Sequence, residues 1–322
     1  MSNLLISIIT VNYNQTAVTC ALLESIRRQD YAEVEVIVVD NASREDPQKL
    51  LLARYPEIKY VRSERNLGFA GGNNLGLREA TGSYFFFINN DAELTTGCLA
   101  RLVALLRDTP GSGIVSPLIC YYPLEGQPQP IVQYAGMTPI HPITARNRTI
   151  GQGEAANGQF VQPQPTAYTH GAAMLISREV LGRVGPMADD FFLYYEELDW
   201  CERIRRAGYS IWMEPRAMVY HKESLTVQAL GALKTYYLNR NRIYFMRRHH
   251  GGWQLGLFYA YLSVIMVPKT TILMVLRGEW ANLRAFWQGI GWNFGAKDNS
   301  WERQNSAVPI WSEPTAAFAT GK

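Results

Sequence analysis

The chain has 322 residues, 47% apolar and 18% charged, a balance that speaks against a disordered or fibrous protein and suits one large domain with an appendage, or two domains. Four scattered cysteines, Cys20, Cys98, Cys120 and Cys201, show no CxxC or other metal spacing, which argues against a zinc module or a disulfide scaffold and fits reduced structural thiols. The net charge of +3 hides an asymmetry: 20 Lys and Arg face 24 Asp and Glu through Glu223, then 11 face 4, and six of the eight tryptophans lie in that last stretch.

The first residues carry no basic flank and their apolar run is only of strand length, so a secretory signal is not expected and a cytoplasmic start is. Leu5 to Val11 reads as a first strand, followed by a helix carrying Leu22, Leu23 and Ile26. Val34 to Val39 is a second strand ending at Asp40. Asp46 as N-cap and Pro47 at the first helical position open a helix towards Tyr55. Ile58 to Val61 gives a third strand, then a Gly/Asn-rich loop and a brief helix lead to a fourth, Tyr84 to Ile88, and to a helix over Leu99 to Leu106. This alternation predicts a largely parallel sheet flanked by helices, with Asp40 and Asp91 at carboxyl ends of strands, where open α/β sheets hold ligands.

From Tyr121 to Tyr168 the composition turns to Pro, Gln, Gly and Asn, the mark of an irregular insertion and a candidate acceptor surface. Ala172 to Ser177 resumes a strand, EELDWCERIRRAG from Glu196 reads as a helix ended by Gly208, and two strands, Tyr209 to Met213 and Ala217 to Tyr220, lead to His221. Beyond Leu225 the apolar runs Leu255 to Val267 and Ile272 to Leu276 are interrupted by Pro268 and Lys269. Neither reaches the roughly 20 residues of a simple span, which favours an interfacial or re-entrant helical hairpin. Basic residues interleaved with Trp suit nucleic acid or an anionic membrane, and the long apolar runs decide for membrane and against nucleic acid. A second soluble helical subdomain or a dimer surface is the other reading. The tail after Asp298 is expected to be loosely ordered.

Three polar residues, Asn89, Asn90 and Asp91, close the aromatic fourth strand. Such side chains either form an ordinary polar turn or hold a divalent ion such as Mg²⁺, which takes oxygen ligands from one or two carboxylates and substrate phosphates. The segment ERNLGFAGGNNLG, residues 64 to 76, matches neither GxGxxG nor the Walker pattern, and serves either for close approach to a ligand or as a flexible turn. Glu196 and Glu197 supply either a general base or acids complementing a helix start. Asp199, Glu202 and Arg203 read as solvated or structural.

In order and spacing, ITVNYN, VVDNAS, RNLGFAGGNN, FINNDAEL, HGAAMLI, FFLYYEELDWCERIRRAG and VYH resemble the family 2 inverting glycosyltransferases, and their rhamnosyltransferase-like branch in particular, from about Ile6 to His221. The resemblance implies a GT-A fold, a Rossmann-like nucleotide-diphospho-sugar transferase architecture over residues 1–225, followed by a helical, membrane-associating segment over 226–322. It implies that Asn12, Tyr13 and Asp40 line the nucleotide pocket, with Asp40 accepting from a pyrimidine N3, and that Asn66 and Asn73 hold the donor. Asp91 becomes the metal-binding carboxylate, with Mg²⁺ or Mn²⁺ as the ion. Asn89 stands for the first Asp of the family's DxD motif, and His221 is a third ligand or a diphosphate contact. Glu197 holds the place of the catalytic base. The implied partners are a dTDP- or UDP-linked sugar, a saccharide or lipid-linked acceptor, and the inner face of the cell membrane. The processive motif QxxRW is absent, so one sugar per encounter is expected. The alternatives are an inactive nucleotide-sugar-binding scaffold, which the NND and EE departures favour, and a nucleotidyltransferase.

Overall fold

The computed structural model describes residues 4–123, 129–222 and 231–295. Its centre is a twisted mixed sheet. β1 (Ile6–Asn12), β2 (Val34–Asp40), β3 (Lys59–Arg62) and β4 (Tyr84–Ile88) run parallel in the order β3-β2-β1-β4, as the Val/Ile and aromatic runs predict. The sheet continues through strands met later in the chain. β9 (Ala173–Ser177) pairs antiparallel with β4 and with β6 (Ser112–Tyr121), β6 pairs parallel with β10 (Ser210–His221), and the short β5 (Ala92–Leu94) closes the edge antiparallel to β10. Two further strands lie in the region expected to be irregular: β7 (Val132–Tyr134) pairs with β6, and β8 (Gln164–Pro165) with β10.

Alternating residues of the strands feed two cores. Ile6, Ile8, Val36, Val38 and Phe86 meet Leu22 and Leu23 of α1 (Thr16–Arg27), Leu51 of α2 (Gln48–Arg54) and Leu99 and Leu102 of α4 (Cys98–Asp108). Ile9, Ile37, Val39, Phe85 and Phe87 face the other way, towards Ala70 and Leu77 of α3 (Gly68–Arg78), Val180 of α5 (Arg178–Val184) and Trp200 and Ile204 of α6 (Glu196–Arg206). All four cysteines are buried and free.

Three sequence expectations change here. The Gly/Asn-rich segment is not a loop: from Gly68 on it is α3, and its glycines let that helix sit close on the sheet. A Cβ on Gly72 would lie 2.9 Å from a Val11 methyl, and one on Gly76 2.7 Å from Ile9 and 2.8 Å from Val39. The strand β6 was not expected at all, since Gly113 and Pro117 interrupt its pattern. The two strands expected before His221 are one, β10, whose register shifts between Glu214 and Met218, opposite Pro117 and Leu118 of β6.

The boundary expected at residue 225 falls outside the described residues, as does the tail after Asp298. The helix that follows, α7 (Gly231–His249), belongs to the second core through Ile243, Phe245 and Met246. α8 (Gly252–Tyr261), a π-helical turn (Leu262–Met266) and α9 (Val267–Leu276) form a single 25-residue helix. The two short apolar runs are therefore one element. The π turn comes immediately before Pro268 and accommodates its missing N–H and its ring, so the helix is not broken. At roughly 1.5 Å per residue it is about 37 Å long, and by length and composition it is sufficient to cross a membrane. Phe258, Leu262 and Met266 form one stripe buried in the second core, while Leu257, Val264, Ile265, Ile272 and Leu276 face outwards. After a turn, α10 (Trp280–Trp292) returns along α7, burying Phe286 and Ile290 and exposing Trp280 and Trp287.

Replacing Gly76 by Ala tests the packing role of the glycines. Ala favours a helix by roughly 1 kcal/mol, but overpacking against Ile9 and Val39 costs about 1–3 kcal/mol. A lower urea midpoint for Gly76→Ala is expected, and an unchanged or raised midpoint would contradict the close packing.

Candidate active site

The ends of β1 and β2 build one wall. Asn12 is fully buried: its Nδ2 donates to Asp40 Oδ1 at 2.9 Å and to Ser43 Oγ at 3.2 Å, and its Oδ1 accepts from Thr19 Oγ1 at 2.9 Å. The two loops above are bound together, since Asn14 N–H donates to Ser43 Oγ and Arg44 N–H to Asn14 Oδ1, both at 2.8 Å. Tyr13 stands exposed on top. Asp40 has no exposed surface. Its second oxygen accepts from Arg62 at 2.5 Å and from Ser43 N–H at 3.2 Å, so the carboxylate expected to meet a base is covered by the Arg62 guanidinium. The expectation also missed Asn41, which donates to Asn66 Oδ1 and Gly68 O and accepts from Leu67 N–H, and so shapes the entry to α3. Asn66 is thereby tied into this turn. Asn73 lies buried inside α3, donating to Phe69 O at 3.0 Å, and is not brought to the surface.

The second wall is the NND turn. Asp91 is 4% exposed, and its Oδ1 lies 3.1 Å from His221 Nε2. The other ring nitrogen, Nδ1, lies 2.8 Å from Gln133 Oε1, an atom that only accepts, so Nδ1 carries a proton and donates it. The near nitrogen, Nε2, is the one that faces Asp91. A carboxylate 3.1 Å from an imidazole whose far nitrogen is fixed by a partner forms an ion pair when the ring is protonated and suits a divalent ion when it is not. Asn89 faces His221 with its amide nitrogen, at 3.2 Å, rather than with the oxygen expected to help bind metal. Asn90 instead donates to Thr19 Oγ1 at 3.1 Å and joins the two walls. Among the described residues no group of three His, Cys, Asp or Glu side chains is placed to hold a metal, so an ion here would depend on Asp91, His221 and ligands from the substrate.

The third wall is the start of α6. Glu197 is its second residue, and its carboxyl carbon lies 4.0 Å from where a Cβ on Gly171 would stand, beside the Phe69 ring. Burial pushes its pKa up to about 7, against the opposing backbone N–H bonds of the helix start. The helix terminus was expected to keep this acid ionised, and desolvation outweighs it. Glu196 is more deeply buried, and burial together with the neighbouring Glu197 charge raises it well above the ordinary carboxylate range.

The segment leading into α6 is strained. Phe192, Tyr194 and Tyr195 all have positive φ, at 63°, 69° and 76°, values rare for aromatic residues. Asn241 of α7 holds it, its Nδ2 lying within 2.9 Å of the carbonyl oxygens of Phe191, Leu193 and Tyr194. Asp199, expected to be solvated or structural, is structural. It is fully buried, its pKa is kept low by His249, Arg203 and Arg248 against the cost of burial, and it binds α6 to the end of α7.

Between the second and third walls runs residues 169–172, which the sequence did not single out as functional. Asn89 N–H donates to Ala172 O at 2.9 Å, and Thr169 N–H to Cys201 Sγ of α6 at 3.4 Å. His170 sits in its middle, its ring 5.8 Å from that of His221 and 5.8 Å from that of Tyr134. Burial and the neighbouring His221 push its pKa down to about 3.

The comparisons with known proteins agree with this architecture. The model of the family described as Glycosyl transferase family 2 matches residues 7–185. The chain belongs to that family. It is a glycosyltransferase by family, and among its relatives is a low-salt glycan biosynthesis hexosyltransferase of Haloferax volcanii, 31% identical over 210 residues, a match covering 64% of this chain and 63% of the relative. The chain thus spans just under two thirds of that relative's length. An N-acetylglucosaminyl-diphospho-decaprenol L-rhamnosyltransferase of Mycobacterium tuberculosis is 22% identical over 269 residues, covering 78% of this chain and 87% of the relative. Among solved structures, a mannosyltransferase of Pyrobaculum calidifontis in complex with GDP-Man and Mn²⁺ superposes with a TM-score of 0.55 at 18% identity, covering 91% of this chain and 88% of that one. The glycosyltransferase's mixed sheet flanked by helices is the GT-A fold.

Proposed function

We propose that this glycosyltransferase is an inverting, non-processive enzyme that moves one sugar from a nucleoside-diphosphate donor to a saccharide or polyprenyl-diphosphate-linked acceptor at the inner membrane surface. The observation that carries the reading is the Asp91–His221 pair, a carboxylate and an imidazole nitrogen held 3.1 Å apart at the carboxyl edge of the sheet, with Glu197 on the neighbouring wall. Asp91 and His221 would hold Mg²⁺ or Mn²⁺, and the ion when bound supplies Lewis-acid neutralisation of the diphosphate charge. The neighbour solved with GDP-Man and Mn²⁺ is in keeping with such an ion.

Glu197 takes the acceptor hydroxyl's proton as that oxygen attacks the anomeric carbon on the face opposite the leaving nucleoside diphosphate. The C–O bond to the acceptor forms as the bond to the diphosphate breaks, and the configuration inverts. A carboxyl with a pKa near 7 is well matched to this task, since it is ionised enough to act and basic enough to accept. Asn12, Tyr13 and the Asp40–Arg62 pair form the nucleotide end of the pocket, and base binding to Asp40 requires Arg62 to turn aside. The donor to test first is dTDP-rhamnose, because one relative is named a rhamnosyltransferase. Its name also supplies the prenyl-linked acceptor.

The long apolar helix supports the membrane placement. Its outward residues Val264 and Ile272 and the exposed Trp253, Trp280 and Trp287 suit lipid and its interface.

Two outcomes are expected. Glu197→Gln lowers turnover by roughly 10² to 10⁴ with donor binding retained. In the unaltered enzyme kcat/KM rises with pH through about 7, because the base must lose its proton. Near-normal turnover in the variant, or a profile flat from about pH 6 to 8, would remove Glu197 from this role. In flotation with anionic liposomes the full chain rises with the lipid, and the double variant Val264→Asp/Ile272→Asp, altered only at exposed positions, stays in the soluble fraction. Equal partitioning would contradict the membrane contact.

A further inference from the structure

His170 occupies the segment that joins the metal-competent pair to the wall bearing Glu197, and the mechanism above gives it no task. Its Nδ1 accepts the Ala172 backbone N–H at 3.1 Å, which places the ring proton on Nε2. The Tyr134 and His221 rings flank it, each 5.8 Å away, and fix the plane of the imidazole. The ring is half-buried, and among the described residues Nε2–H has no hydrogen-bond partner.

This half-buried N–H donor of fixed tautomer stands between the Asp91–His221 pair on one side and Gly171 and Glu197 on the other, where the reading above puts the donor's diphosphate. It is not arranged as a metal ligand. Ligation through Nε2 would move the ring proton to Nδ1, where it would oppose the Ala172 N–H at 3.1 Å. We propose that His170 is a further catalytic residue whose Nε2–H donates a hydrogen bond to a terminal phosphate oxygen of the donor's diphosphate, steadying the charge that the leaving group gains. This rests on the nucleotide-sugar reading above.

Two substitutions separate this from a purely structural role. In His170→Asn the side-chain oxygen replaces Nδ1 and keeps the Ala172 bond, but no donor reaches the Nε2 position. In His170→Gln the amide N–H reaches that position while the acceptor for Ala172 is lost. Calorimetric titration with UDP, dTDP and GDP in the presence of Mn²⁺, against the matching monophosphates, is the readout. The expected result is a roughly 10- to 100-fold weaker diphosphate affinity in the Asn variant, near-normal affinity in the Gln variant, and little change in either for the monophosphate. The reverse pattern, Asn normal and Gln weakened, would mean that His170 only supports the loop, and affinities equal to wild type in both variants would equally overturn the proposal. If the unaltered chain bound none of the three diphosphates, the nucleotide-sugar reading itself would fall, and this inference with it.

Discussion

The carboxylate of Asp91 and the imidazole of His221 stand 3.1 Å apart, and the chemistry proposed for the site depends on their staying there. Sheet register is what keeps them in place. β5 runs antiparallel to β10 with Ala92 opposite His221, and Lys222 N–H donates to Asp91 O at 3.0 Å. A one-residue slip of β10 would turn His221 to the opposite face of the sheet. The same slip would separate it from Gln133, which enters from the far side of β6. An edge strand of three residues therefore positions half of the candidate ion site.

The other half of the chemistry depends on helices that come late in the chain. Glu197 is the second residue of α6, which follows a segment with three positive-φ aromatic residues, a conformation maintained by Asn241 of α7. Asp199 then anchors the first turn of α6 to Arg248 and His249 at the end of α7, and the apolar helix starts only three residues after His249, at Gly252. The wall that bears Glu197 and the long apolar helix are thus mechanically continuous. A segment that looks like an appendage in composition completes the core and braces the start of α6.

Much of this was legible beforehand, and the failures have physical causes. Val and Ile runs give β1 and β2, the aromatic run gives β4, and the polar residues at their ends gather at one edge of the sheet. β6 escaped because Pro117 and Gly113 weaken its pattern. The structure tolerates Pro117 in a central strand by setting it at the register shift of β10. Glycines that approach a ligand and glycines that approach a sheet have the same signature, so α3 was read as a loop and Asn73 as a donor contact. Burial of Glu197 beyond what a helix terminus offsets is a property of the assembled walls. Gln133 and His170 lie 88 and 51 positions before His221, and only the folded sheet brings their side chains beside it.

The central claim is that Asp91 and His221 together grip a divalent ion at the diphosphate. Electron spin-echo spectroscopy of Mn²⁺ bound with a nucleoside diphosphate examines it directly. The account predicts nitrogen coupling from one imidazole and phosphorus coupling from the diphosphate, with the nitrogen signal lost in His221→Ala and Mn²⁺ binding weakened in Asp91→Ala. A spectrum free of nitrogen coupling in the unaltered protein, or one that both substitutions leave unchanged, would contradict it.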